Sequence, residues 1–308
     1  MLYYRMIWKY IDLEVNRLIH KIGRNRAIYE MSPANGPAIE VSPGDTIIVE
    51  TEDCFSHAIV SELQTVGSDF DFSHINPATG PIGVRGALPG DTLIVNIESI
   101  EVDEKGVVET CPGWGPVGEI VRECVTEMVV IRDGHASFRG TRFAIKPMIG
   151  VIGTSPAKES ISCGTPGFHG GNLDTNDICA GSKVFLPVFV EGANLALGDV
   201  HARMGNGEIC GTGIEIRATV RISVKLDRSS IDGPMVENDN AFYMLYSAKT
   251  FDDATRGAVE RAVRFIADRK SIPQPVAYML ASVTCDLTVS QIVNPLVTVR
   301  VKIPKEIL

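Results

Sequence analysis

Gly167-Phe-His-Gly-Gly-Asn-Leu-Asp174, an apolar pair of strands, Gly198-Asp-Val-His-Ala-Arg-Met-Gly-Asn-Gly-Glu208 and Gly211-Thr-Gly-Ile-Glu215 form one stretch of this chain. The run Leu195-Ala196-Leu197 leads straight into Asp199 and His201. On a β-strand, residues two apart project from one face, so the pattern aims a carboxylate and an imidazole at one point. Such a pair suits a divalent cation, although an Asp-x-His spacing alone is equally given by a solvated strand end. Gly205-Asn206-Gly207 predicts that the strand turns back at once into another beginning at Glu208. A two-residue turn pairs Gly205 with Glu208 and puts Glu208 on the Asp199/His201 face. A three-residue loop pairs Met204 with Glu208 and puts Glu215 there instead, so both acids are candidates.

Working outward, the same rhythm of short strands and turns continues. Pro43-Gly44-Asp45 and Pro89-Gly90-Asp91 each feed a β-branched strand, one turn solution used twice. Strands are expected at Thr92 to Val102, Glu127 to Arg132, Pro147 to Gly153, Lys183 to Val190, Ala193 to Val200, Gly213 to Leu226 and Leu296 to Ile303, with Thr154 to Pro166 polar and exposed. Helical spacing occurs only near the end. Thr250-Phe-Asp-Asp253 reads as a capping box before an apolar stripe of Val259, Val263 and Ile266, stopped by Ser271-Ile272-Pro273. Val276 to Asp286 reads as a second helix with Tyr278, Met279 and Val283 inward. The expected fold is therefore mainly β (α+β), a β-rich sandwich or barrel-like body with a few C-terminal helices. Residues 1–25 read as an N-terminal extension and 26–308 as the domain, with two intimately packed β subdomains as a variant.

With 308 residues, 44% hydrophobic and 22% charged, the chain can bury a large core. A net charge of -9 offers no basic stripe for phosphates and argues against nucleic acid. No apolar run reaches the length of a spanning helix, and Met1 to Lys21 lacks the pattern of a signal peptide. Seven scattered cysteines without a Cys-x-x-Cys suggest neither a disulfide framework nor a zinc knuckle. Reduced, mostly buried thiols in a cytoplasmic protein are expected. The loop Cys111-Pro-Gly-Trp114-Gly-Pro-Val-Gly118 lacks a nucleotide-binding frame. At Glu50-Thr-Glu-Asp53-Cys54-Phe-Ser-His57, a strand end, Asp53 and His57 are candidate ligands.

Together, Glu50-Thr-x-Asp53, Asn76-Pro77-x-Thr79-Gly80-Pro81, His169-Gly-Gly-Asn-Leu-Asp174, Gly198-Asp-Val-His201, Gly207-Glu208 and Gly211-Thr-Gly-Ile-Glu215 resemble the acetamidase/formamidase family from about Arg26 to Pro304. The resemblance implies a β-rich fold, hydrolysis of short-chain amides to ammonia and a carboxylate, a divalent metal in some members, and homodimers or larger oligomers. By matching motif it places Asp53, His169, Asn172, Asp174, Asp199 and His201 at the site. Met204 stands where glutamine is common in the family, and Asn206 where aspartate is common.

Amide hydrolysis needs an activated nucleophile, a stabilised oxyanion and a proton for the leaving amine. The expected assignment gives Asp53, Asp174, Asp199 and His201 to the metal, zinc first and calcium as the other choice. Glu208 or Glu215 is the general base and His169 a catalytic partner. Asn172 and the backbone amides of Gly170 and Gly171 meet the substrate. Two other readings are a thiol amidase, with Cys163 or Cys54 beside His169 or His57, and a non-catalytic β domain that binds a metal or small ligand.

Overall fold

The computed structural model describes residues 17–67 and 71–308, and the first sixteen positions of the expected extension lie outside the described residues. A nine-stranded sheet is the largest element, in the order Ile19–Ile22, Thr46–Thr51, Ala218–Asp227, Thr92–Val102, Lys183–Pro187, Met235–Glu237, Ala241–Ala248, Val297–Pro304 and Asp286–Gln291. Only its first pair is parallel. A second sheet joins Met148–Gly153, Leu195–His201, Ala78–Val84 and Ala27–Ile28, with Ile39–Val41 alongside Ala78–Val84. Lys105–Thr110, Val125–Arg132, His135–Phe138 and Thr141–Ala144 form a four-stranded meander.

The twin Pro-Gly-Asp turns explain the order of the large sheet. In each, the aspartate carboxylate accepts the amide three residues earlier, Ser42 N–H at 2.9 Å and Leu88 N–H at 2.9 Å. Each glycine sits at positive φ, 97° and 96°. The strands they launch, Thr46–Thr51 and Thr92–Val102, flank Ala218–Asp227 on its two sides. Alternation along Val220, Ile222 and Val224 then turns one face inward, against Ile82, Ile149, Leu195 and Leu197 of the second sheet. Full burial of each such side chain contributes about 1.5–3 kcal/mol. The sandwich half of the expectation holds; the sheet keeps two open ends, so no closed barrel forms among the described residues.

The far end of the large sheet is covered by two helices, α1 (Phe251–Lys270) and α2 (Gln274–Thr284). Thr250 caps α1 as its spacing predicts, accepting Asp253 N–H at 3.1 Å, and Ser271 ends it in the left-handed conformation. Ala254, Ala258, Ala262 and Ile266 pack on Met244, Val299 and Val301. The face of α2 corrects the sequence reading. Tyr278, Met279 and Val283 point outward at 59%, 64% and 79% exposure, while Ala277 and Ala281 are the buried positions. Close helix packing selects the small side chains, not the large ones.

Two further expectations change. Cys111 and Cys124 are disulfide-bonded; the other five cysteines are free. Thr154, Ser155 and Cys163 are buried rather than exposed, because Thr154 and Ser155 bond to His169 and Ala193 backbone carbonyls.

Candidate active site

The strand Leu195–His201 runs between Met148–Gly153 and Ala78–Val84 and carries Asp199 and His201 into the interior. Asp199 sits at φ 53°, so simple alternation is broken there, yet the two side chains still meet, His201 Nε2 lying 3.5 Å from Asp199 Oδ1. Glu215 Oε2 lies 3.1 Å and Asp174 Oδ1 3.9 Å from the same nitrogen.

The hairpin forms differently from either predicted register. His201 lies opposite Glu215, and Ala202 and Ile214 continue the pairing, but residues 204–213 leave it as a loop. Gly207, at φ 101°, donates to Ser290 O at 2.8 Å and accepts Ile292 N–H at 3.1 Å, so the turn docks on the 290–292 segment rather than closing on itself. Asn206 accepts Arg300 Nη2 at 2.8 Å and Asn176 Nδ2 at 3.0 Å. This detour brings Glu208 in from the side while Glu215 takes the strand face, and both acids reach the cluster. Asp174, His201 and Glu208 present ligand atoms within 4.8 Å of one another, and so do Cys54, Asp199 and Glu215.

Packing explains the glycines around them. A Cβ on Gly150 would come 2.5 Å from Asp174 Oδ1 and 2.9 Å from Asp199 Oδ2; one on Gly213 would come 2.8 Å from His201 Nδ1. Three amide-bearing partners hold the acids: Asn294 Nδ2 donates to Asp174 Oδ2 at 2.7 Å, Asn76 Nδ2 to Asp199 Oδ2 at 3.2 Å, and Gly213 N–H to Glu215 Oε1 at 2.8 Å. Asp174 Oδ1, Asp199 Oδ1, Glu208 Oε2, Glu215 Oε2 and His201 Nδ1 are buried without a hydrogen-bond partner. Burial and the charge of Asp199 push the Asp174 carboxyl up to about 6; burial and Glu215 push Asp199 up to about 6. Burial, then the charge of Asp174, raises Glu208 well above the carboxylate range. Burial opposes charge on His201, but Glu215 and Asp199 outweigh it and raise the imidazole well above its ordinary value. Four unsatisfied carboxylate oxygens around one imidazole make a possible metal-binding group.

Asp199, Glu208 and Glu215 of the cluster line a cavity of about 380 Å³ together with Asn172, Cys54, Trp114, Ile75 and Val293, whereas Asp174 and His201 do not reach its lining. Asp53 and His169 do not line it. The Asp53 carboxylate accepts Phe55 and His57 N–H at 3.0 and 2.8 Å and pairs with His57 Nδ1 at 3.2 Å, closing the 53–57 turn. His169 is buried beside Gly171, Nε2 without a partner, and burial pushes its pKa down to about 4. The amides of Gly170 and Gly171 are engaged, donating to Gly167 O at 3.2 Å and Ile152 O at 3.1 Å, which takes them from an oxyanion role. Sequence reasoning missed Asn294, Gly150, Gly213 and Trp114. The only available signal was a glycine within the apolar strand 148–153, where no turn needs one.

Among solved structures, the fold matches the acetamidase of Bacillus halodurans with a TM-score of 0.91 and 43% identity, covering 93% of this chain and 97% of that one. It matches the acetamidase of Yersinia enterocolitica with a TM-score of 0.87 and 30% identity, over 96% and 94% of the two chains. A formamidase of Methylophilus methylotrophus is 25% identical over 264 residues, 64% of this chain and 63% of that protein. The chain thus spans about three-fifths of the length of the curated relatives it matches. The description "Acetamidase/Formamidase family" fits residues 21–165 and 161–308. With nearly the whole chain matched, this protein belongs to the acetamidase/formamidase family.

Proposed function

We propose that the chain is an amidohydrolase that converts linear carboxamides, formamide and acetamide the shortest among them, to ammonia and a carboxylate. The observation that carries this reading is the group of unsatisfied carboxylates around His201, of which Asp199, Glu208 and Glu215 line a cavity. Asp174, His201 and Glu208, with Asp199 beside them, would hold a divalent cation, for which zinc suits a mixed oxygen and imidazole set better than calcium's six to eight oxygens. Such a cation supplies a bound water whose pKa lies near 7 and a Lewis acid for the carbonyl.

The remaining steps belong to the chain's own groups. Gly213 N–H fixes one oxygen of Glu215 and leaves the other facing the cluster, placing Glu215 to take a proton from water and return it to departing ammonia. Asn172 lines the cavity with its carbonyl oxygen unpaired, a ready acceptor for the substrate N–H₂. A thiol mechanism is disfavoured: burial pushes Cys163 up to about 12, and burial followed by Glu215 and Asp199 raises Cys54 well above the thiol range.

Ammonia release from formamide and acetamide, measured before and after stripping and restoring metal, tests the reading. Release that falls on stripping, recovers with zinc, survives iodoacetamide and drops at least about 100-fold in Glu215→Gln is the expected result. No ammonia from any amide overturns it. Self-association belongs to the same reading, supported by the outward apolar face of α2; light scattering showing a monomer would remove it. Among the described residues no helix is long and apolar enough to cross a membrane. The Cys111–Cys124 bond fits poorly with a reducing cytoplasm.

A further inference from the structure

The cavity is far larger than the shortest amides require. Its volume of about 380 Å³ equals about a dozen waters at roughly 30 Å³ each, of which a three-heavy-atom amide would displace about a quarter. Besides the acids and a few hydroxyl and amide side chains, the lining includes a large apolar set: Trp114, Phe55, Phe72, Ile75 and Val293. No Lys or Arg lines the cavity among the described residues, so no side-chain cation there would pair with a charged acyl group.

Trp114 is held in this wall by several independent contacts. Its indole lies on Gly211, where a Cβ would come 2.7 Å from Cε3, and Gly211 is at φ 106° and donates to Glu208 O at 3.0 Å. Gly115 is pressed on the same loop, a Cβ there reaching 2.1 Å from Ile209 O. Trp114 N–H donates to Cys111 O at 3.0 Å, and the Cys111–Cys124 disulfide closes the base of the loop. A rigid aromatic surface is thus clasped to the very loop that delivers Glu208.

We infer that Trp114 is a specificity-determining residue and that the preferred substrates are neutral carboxamides whose acyl group is aromatic, or aliphatic with about four or more carbons. The inference rests on the amidohydrolase reading for its chemistry and on the cavity wall for its selectivity. An aryl group stacked on an indole gains attraction beyond its buried area, and a hydrophobic pocket distinguishes acyl groups by roughly 10- to 200-fold per missing methylene-sized contact.

The test compares kcat/KM for formamide, acetamide, butyramide and benzamide in the full chain, Trp114→Ala and Trp114→Phe. Benzamide should exceed acetamide at least about tenfold in the unmodified chain. Trp114→Ala should cut that ratio at least about tenfold, mainly through KM, and Trp114→Phe should restore most of it. A second readout does not need turnover. The sequence holds two tryptophans, Trp8 and Trp114, so in Trp8→Phe the emission belongs to Trp114 alone. Benzamide should then quench it with a half-saturating concentration at least tenfold below that of acetamide. Equal kcat/KM across acyl groups, or a ratio unmoved by Trp114→Ala, overturns the inference and leaves the amidohydrolase reading standing. Benzamide quenching without ammonia from any amide does the reverse, and loss of both overturns both.

Discussion

Asp174, Asp199 and Glu208 hold φ values of 38°, 53° and 49°, a left-handed region that non-glycine residues enter at a cost of order 1 kcal/mol or more each. Aspartate tolerates it better than glutamate, so the surrounding packing must impose it on Glu208. This explains what a sequence can and cannot show at this scale. Asp199, His201 and the two glutamates were legible from residue type and spacing. Their left-handed backbones were not; that of Glu208 lies in the 205–213 segment, which docks on residues 290–292 far along the chain. Asp53 is engaged locally, its carboxylate accepting from its own 53–57 turn. Gly150 lies outside the left-handed region, so space rather than backbone demands glycine there. Gly150→Ala should therefore displace Asp174 and Asp199, lowering stability by about 1–3 kcal/mol in denaturant titration and abolishing metal uptake. His169 supplies a pH prediction. Its folded pKa of about 4 lies below the unfolded value of about 6.5, so protons favour the unfolded chain. Stability should fall as pH drops from about 6.5 toward 4, and His169→Gln should lose less over that interval in thermal melts.

The elements were read with uneven success, and the reasons differ. α1 was legible because its cap is local: Thr250 and Asp253 lie three residues apart and their side chains bond within that turn. α2 was placed correctly but turned the wrong way. Its large apolar residues marked a stripe, whereas Ala277 and Ala281 are the positions that fit against neighbouring elements. The Cys111–Cys124 bond joins residues 13 apart across the Trp114 loop, a pairing invisible without the fold that puts Thr110 beside Val125. Reduction should cost roughly 3 kcal/mol by the loop-closure argument, read as a lower denaturation midpoint with dithiothreitol than without. Thiol titration of the unfolded chain should rise from five groups to seven. An unchanged midpoint would mean that the 111–124 loop is ordered by its contacts with Ile209 and Gly211 alone.

For the molecule as a whole, the balance of charge at the cluster links pH to metal. Four acids face one imidazole, and Asp174 and Asp199 titrate at about 6, above the unfolded aspartate value of about 3.9. In the metal-free chain, protons on these acids contribute stability that is lost as pH rises through about 6. On the proposed reading, a bound cation would replace those protons at higher pH. Chelation should therefore lower Tm more at pH 8 than at pH 5.5 by calorimetry; equal shifts would mean the cluster holds no ion. The sandwich was legible because its strands alternate and its turns repeat. The meeting of distant segments at one cavity was not, apart from the resemblance carried by the motifs. One of those meetings has a consequence for biosynthesis. Asp174 takes a hydrogen bond from Asn294, and the loop delivering Glu208 is pinned through Asn206 to Arg300. A ribosome makes Asp174 and Glu208 more than eighty residues before either partner, so a nascent or prematurely terminated chain has these carboxylates without the contacts that set them. Hydrolytic competence should switch on only once the 286–304 hairpin is laid in place, and incomplete translation products should be inert rather than partly active.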